Sequence, residues 1–271
     1  MRITAADNPT FRRLLRLAES ARVVRTTGRT IAEGVHLIES AMDARVGVAT
    51  LVTRGAPVAA HGLLIERVQQ SAAARGADPA RLIELAAPLY DRIAPVEHGA
   101  GILAEIEIPG ATPGVTAADA VFLDGVQDPG NVGTILRTAA AAGVGRVITG
   151  AGTAFPWSPK VMRAAMGAHF RLKIDDSAAL EAVAGGFDGE LIAADVDGDD
   201  LFTADWGDRP VLWLFGAEGQ GLGAAALRLA HRRLRIPLAA GVESLNVGAA
   251  AAVCLFEQLR RRRARSAPTC N

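Results

Sequence analysis

The sequence predicts an α/β protein in two parts, a small α/β unit followed by a larger one built on a parallel sheet. Three observations predict it. From residue 118 onward short apolar runs alternate with helical patterns, the rhythm of a parallel sheet covered on both faces. The stretch "GATPGVTAAD" is rich in Gly, Pro and Thr and has no periodicity, so it reads as a linker. Half of the 271 residues are apolar, enough for one large core or two modest ones. The resulting division is residues 1–108, a linker at 109–117, and residues 118–271.

In the first part, "FRRLLRLAESARVVR" carries Phe11, Leu14, Leu15 and Leu17 at helical spacing. "TIAEGVHLIESAMDA" is strand-like and then helical, and "VATLVT" is a short strand. "DPARLIELAAPLYDRIA" predicts one helix, with Asp78 as its N-cap and Pro79 in its first position. "GILAEIEIP" alternates as a strand does. In the second part, "AVFLDGV" is a strand and "NVGTILRTAAAA" a helix ended by Gly143. "RVITG" is a strand, and "SPKVMRAAMGAHF" a helix with Ser158 as N-cap and Pro159 in its first turn. "ELIAADV" and "PVLWLFGAE" are strands, "AALRLAHR" a helix, "RLRIPL" a strand, and a long helix runs from Ser244 to Arg262. Ligands of such sheets sit beyond the carboxyl ends of the strands.

Charge and composition narrow the function classes. The formal net charge is zero, so no global basic field surrounds the protein. Seven Arg nevertheless lie between Arg2 and Arg29, against Asp7 and Glu19, and Arg260, Arg261, Arg262, Arg263 and Arg265 crowd the other end. Basic ends on a neutral body suit a polyanion held over a limited footprint. A basic helix end also simply complements the helix dipole. Cys254 and Cys270 give neither a disulfide framework nor a zinc spacing, so no metal is expected, and Cys254 reads as core. No apolar run is long enough to span a membrane and no signal-peptide core precedes the first helix; a soluble, cytoplasmic protein is expected.

Three loops, each following a strand, carry the candidate chemistry. In "DGVQDPGNVGTILRT", Asn131 sits where the helix is expected to begin, either as a plain N-cap or beside an anion held by the free N–H groups. Arg137, six residues on, either pairs with a carboxylate or binds phosphate. In "LFGAEGQGLG", Gly216, Gly219, Gly221 and Gly223 allow sharp bends and close approach to a ligand. Glu218 within it is an acid/base group, an orienting acceptor or a merely exposed side chain. The loop does not fit the dinucleotide fingerprint, which argues against a nucleotide-dependent oxidoreductase. In "ESLNVGAAAAVC", Ser244 and Asn246 precede small residues that let the helix approach another backbone closely.

Together and in this order, "NVGTILR" (Asn131–Arg137), "LFGAEGQGL" (Leu214–Leu222) and "IPLAAGVESLNVGAAAAV" (Ile236–Val253) resemble the three motifs of the SpoU (TrmH-type) RNA 2′-O-ribose methyltransferases of the SPOUT superfamily. The resemblance spans residues 118–262. The N-terminal part, through "FRRLLRLAES" and "IAEGVHLIESA", is similar to the L30e-like substrate-binding domain of the ribosomal-RNA branch. The resemblance implies a trefoil knot in the C-terminal part, which general topology rules would not suggest. It implies S-adenosylmethionine (SAM) bent in that knot, a homodimer that completes each site across its two-fold axis, and large-subunit (23S) ribosomal RNA as substrate.

The family's donor-binding positions fall on Gly216, Ile236 and Leu245, with Ala194 and Thr149 as further candidates. Its catalytic positions fall on Asn131, Arg137, Glu218, Ser244 and Asn246, and Arg163 with Lys160 is implied to meet RNA phosphate. Arg137 is implied either to take the proton of the ribose hydroxyl or to clamp the substrate phosphate. A guanidinium gives up its proton only with great difficulty, which favours the clamp. Two other readings compete: a transfer-RNA 2′-O-methyltransferase, and a non-catalytic RNA-binding or ribosome-assembly protein that keeps the fold.

Overall fold

The computed structural model describes residues 1–94, 99–110, 119–207 and 209–266. The chain forms two compact units, residues 1–111 with 157–170, and residues 112–156 with 171–271. Residues 111–117 of the expected linker lie outside the described residues.

The first unit opens with β1 (Arg2–Ile3), α1 (Pro9–Glu19), α2 (Ala21–Thr27), β2 (Arg29–Glu33) and α3 (Val35–Asp43). It continues with β3 (Val48–Arg54), α4 (Ala59–Ala74), β4 (Arg81–Leu85), α5 (Ala87–Ile93) and β5 (Ile102–Glu107). The strands form one sheet in the order β1-β4-β3-β5-β2. β3 and β1 run parallel to β4, while β5 is antiparallel to both β3 and β2. Phe11, Leu14 and Leu17 are buried, as their helical spacing predicts, but the first helix is broken at Ser20, which caps α2 by accepting from Val23 N–H.

The expected single helix over residues 78–94 is corrected to a strand followed by a short helix. Leu82, Ile83 and Leu85 satisfy a strand period as well as a helical one, and Ile83 and Leu85 are the buried pair. Pro88 lies in the first turn of α5, where its missing N–H costs nothing; inside a longer helix it would break the ladder. The helix α4 carried no periodicity clear enough to be read.

This unit buries charge as well as apolar side chains. Glu105 of β5 is fully buried and takes a fork from Arg13, whose Nη2 lies 2.8 Å from Oε2, plus the Thr50 hydroxyl at 2.8 Å. Arg29 stands 3.5 Å away. Burial pushes the Glu105 carboxyl up, but the hydrogen bonds of Arg13 and Thr50 and the two guanidinium charges outweigh it and hold the pKa below the usual range.

The second unit begins with β6 (Ala120–Asp124), α6 (Pro129–Ala141) and β7 (Arg146–Thr149). The chain then returns to the first unit with α7 (Pro159–Ala165), capped by Ser158 as the sequence predicts. There Trp157 O accepts from the Thr30 hydroxyl at 2.6 Å, and Val161, Met162 and Ala165 are buried. The helix stops sooner than expected, at Met166, which is left-handed, and a 3-10 turn over Ala168–Arg171 follows. Buried His169 packs on the Trp157 ring at 4.8 Å, in keeping with a structural role.

The second unit resumes with β8 (Lys173–Asp175), α8 (Leu180–Gly185), β9 (Glu190–Asp200), β10 (Val211–Gly216), α9 (Ala224–Leu229), β11 (Arg232–Arg235) and α10 (Val247–Ser266). The six strands run β11-β9-β10-β6-β7-β8, every pairing parallel. Both faces are buried, which is why the strands read as continuous apolar runs. Ala120, Phe122, Leu212 and Leu214 face one side with Ile148, Leu180, Leu191 and Ala226. On β10 the alternate residues Trp213 and Phe215 stack at 5.9 Å, and the Trp213 indole N–H donates to Gln258 of α10 at 2.6 Å. No helix among the described residues is long and apolar enough to cross a membrane.

Candidate functional site

The sheet order turns back between β6 and β10, adjacent strands whose flanking neighbours were laid down in opposite directions. Crevices at such a point, outside the carboxyl ends of the strands, are where α/β sheets bind ligands. The register sets which residues reach that edge. Gly216 lies opposite Asp124, Leu123 opposite Thr149, and Leu214 opposite Ala193. Thr149, Ala194 and Gly216 therefore mark the carboxyl ends of β7, of the paired stretch of β9, and of β10.

The three motif loops meet through side chains. Asn131 Nδ2 donates to Glu218 Oε1 at 2.6 Å, and Asn246 Nδ2 donates to Asn131 Oδ1 at 3.0 Å. Asn246 Oδ1 in turn accepts from Gly248 N–H at 2.9 Å and Ala249 N–H at 3.2 Å, capping α10. Residues far apart in sequence are joined into one chain of hydrogen bonds, Glu218–Asn131–Asn246.

The expectation that α6 starts at Asn131 is corrected. Asp128 is the N-cap, its carboxylate accepting from Asn131 N–H at 2.8 Å, and Pro129 follows. With capping done by Asp128, the Asn131 amide is free to link the other two motifs. Likewise α10 begins at Val247 rather than Ser244 and runs on to Ser266, and Ser244 is exposed ahead of it. Gly248 explains the small residues there: a Cβ at 248 would sit 3.2 Å from Thr134 Cγ2 of α6.

Arg137 lies on α6 beyond Asn131, exposed and without an ion pair among the described residues. Of its two sequence readings, the structural carboxylate pair is absent, and an accessible guanidinium stands on the helix that carries Asn131. An exposed Arg unspent on the fold is available to a phosphate.

The expected donor positions differ in what they offer. Gly216 is pressed so closely that a Cβ would meet the Gly221 carbonyl carbon at 2.1 Å, so the loop folds back on itself only with glycine. Ala217 and Gly221 exchange backbone bonds, which makes a tight hairpin with Glu218 near its tip. Ile236 and Leu238 are half-buried, while Val242 and Leu245 are exposed. Between Ile236 and Leu245 the one internal backbone bond among the described residues is the turn from Val242 N–H to Ala239 O. This stretch leaves apolar side chains and open backbone groups side by side, which suits a ligand with a flat heterocycle. Ala194 is half-buried where β9 leaves its pairing with β11, between Ala193 and Asp199. Thr149 is buried, with its hydroxyl engaged by Asp176 at 3.1 Å and by Ser177 N–H at 3.3 Å, and its carbonyl accepts from Ala178 N–H.

The remaining basic residues sort by what they touch. Lys160 is exposed on α7, and Arg163 of the same helix donates to the buried Glu33 at 3.0 Å. Burial holds the Glu33 carboxyl above its usual range against the pull of Arg163. Much of the C-terminal Arg run is spent within the second unit. Arg260 and Arg261 bond Glu257, and Arg261 also reaches the carbonyls of Leu201, Phe202 and Ala204 and lies over the Trp206 ring. Arg262 forks onto Asp119. Apart from Glu257, these acceptors lie 57 or more residues away in sequence, which is why the run reads only as a basic end.

Residues 119–256 match the model of the SpoU rRNA Methylase family. Over 98% of its length the chain is 32% identical to an uncharacterized tRNA/rRNA methyltransferase of Synechocystis sp., of which the match covers 96%. It is 38% identical over 146 residues to the 23S rRNA (guanosine-2′-O-)-methyltransferase RlmB of Bordetella pertussis, covering 52% of this chain and 59% of that protein. The structure is similar to the AdoMet-bound rRNA methyltransferase of Sinorhizobium meliloti, with a TM-score of 0.80, 28% identity, and coverage of 96% of this chain and 98% of the other.

Proposed function

Because the chain belongs to the SpoU rRNA methylase family, we propose that it transfers a methyl group from SAM to a ribose 2′-hydroxyl of RNA, with large-subunit ribosomal RNA as substrate. The observation that carries this reading is Arg137, an exposed guanidinium without an ion pair among the described residues, on the helix whose Asn131 is locked to Glu218 and Asn246. Such an arrangement puts a group able to bind phosphate on the same helix as a fixed polar cluster. The relatives' names supply the substrate class, and the AdoMet-bound neighbour supplies the donor.

The residues fit that donor. The tight glycine hairpin at Gly216 supplies backbone that a ligand can approach closely, and the stretch from Ile236 to Leu245 supplies apolar side chains and main-chain donors and acceptors. When bound, SAM supplies an electrophilic methyl on a sulfonium leaving group. The protein's task is the nucleophile, since a ribose hydroxyl is a weak acid. Arg137 grips the adjoining phosphate with its planar fork, and its positive charge favours loss of the hydroxyl proton, which passes to solvent water as the methyl leaves the sulfonium. Asn131, held at both ends, and Ser244 fix the ribose, so that alignment contributes a large share of the rate, on the order of several kcal/mol.

Within the same reading, the second unit carries the family's trefoil knot and pairs with a second copy to complete each site. The first unit is an L30e-like RNA-binding domain, in which Lys160 and the exposed face of Arg163 meet phosphate. The test is calorimetric titration with SAM together with transfer of tritiated methyl to large-subunit ribosomal RNA, with transfer RNA as comparator. Binding of SAM with preferential labelling of the ribosomal RNA is the expected result. Binding without transfer to any RNA would leave a donor-binding protein of another function.

A further inference from the structure

Asp124 ends β6, opposite Gly216 in the register with β10. Its Oδ2 accepts the Gly223 N–H at 3.1 Å. Gly223 is where the glycine-rich loop leaves its hairpin and enters α9, as the residue before the first helical turn. The loop is thus tied twice to the β6–α6 segment. At its tip Glu218 holds Asn131, and at its base Gly223 holds Asp124.

We propose that Asp124 is a positioning residue for methyl transfer: it latches the base of the hairpin so that Glu218 and the Gly216 backbone are held ready for substrate and donor. The proposal rests on the function read above. The need for a latch follows from the loop's own chemistry. Gly219 and Gly221 sit at positive φ, 80° and 68°, and glycine loses more conformational freedom on ordering than any other residue. The tip bond depends on a side chain at each end, half-buried Asn131 and exposed Glu218, and leaves the backbone at the base of the loop untied. Both bonds are charge-assisted, but the base bond runs from the loop's own main-chain N–H to a carboxylate at a strand end, so it restrains the loop backbone directly. Asp124 does not touch the reacting atoms in this scheme; it acts through the loop.

The experiment uses the full-length protein with Asp124→Ala and Asp124→Asn, read by hydrogen exchange of the peptide covering residues 214–223 and by methyl-transfer kinetics. Asp124→Ala is expected to speed exchange across the hairpin and lower kcat by about tenfold, the scale of losing one hydrogen bond to a charged group. Asp124→Asn keeps an oxygen that accepts the same N–H and is expected to restore slow exchange and most of the turnover. Unchanged exchange in Asp124→Ala would overturn the latch. So would an Asp124→Asn variant as slow as Asp124→Ala but with normal exchange, since charge rather than the bond would then matter. If Asp124→Ala does not fold, Asp124→Asn alone decides, because loss of hairpin protection or turnover in it contradicts the proposal. The exchange measurement needs no RNA, so it tests the latch even in a protein that methylates nothing.

Discussion

At the scale of single residues, two substitutions separate geometry from charge. Arg137→Ala is expected to lower methyl transfer at least about a hundredfold while SAM affinity, measured by calorimetry, stays within a few-fold. Arg137→Lys should fail nearly as badly, because a point charge does not reproduce the planar fork. Near wild-type turnover in either would remove Arg137 from the reaction. Gly216→Ala is a different kind of lesion. Its Cβ would meet the Gly221 carbonyl carbon at 2.1 Å, so the hairpin must open. Loss of SAM binding in calorimetry and a stability loss of about 1–3 kcal/mol in thermal melts are expected. These positions were legible as motif residues. What could not be read was the partner of each, since Asn131 meets Glu218 and Asn246 across sequence separations of 87 and 115. Asp124 went unread for the same reason, with its partner Gly223 lying 99 positions away; Asp128, whose partner is local, looks like any loop carboxylate until the helix is seen to start beside it.

At the scale of elements, alternating apolar runs revealed the parallel strands of the second unit because burial on both faces removes polar residues from them. The segment from Arg81 to Ile93 was misread because its apolar spacing served two periods, and only Pro88 marked the break. The pairing of α1 with β5 makes a testable element. Removing the fork in Arg13→Ala leaves Glu105 buried with Thr50 and a more distant Arg29. A loss of about 2 kcal/mol at neutral pH is expected, the range for hydrogen bonds to charged groups. Because the folded pKa of Glu105 is depressed, the contribution is fully present above the ordinary carboxylate value and disappears as pH falls through the lower folded value. Melts of both proteins should therefore converge in acid; a constant difference down to pH 2 would deny the carboxylate its role.

At the scale of the whole molecule, the sequence suggested a clean division near residue 118, with every motif on one side. The chain is more interlaced than that. Residues 157–170, which lie inside the family-matched stretch 119–256, pack in the first unit with Trp157, Val161, Met162 and Phe170 buried. Cutting at residue 118 would strip this segment from β2 and α3, a consequence invisible to any linear reading. The family, the donor and the RNA class rest on the three motifs in concert, and the remaining question is where on the RNA the methyl goes. The most direct measurement is to label large-subunit ribosomal RNA with tritiated SAM and the full-length protein, hydrolyse it with alkali, and separate the products. A 2′-O-methyl group removes the nucleophile for alkaline cleavage, so the label is expected in an alkali-resistant dinucleotide. Label recovered in single nucleotides would place the methyl on a base and contradict ribose methylation by this site.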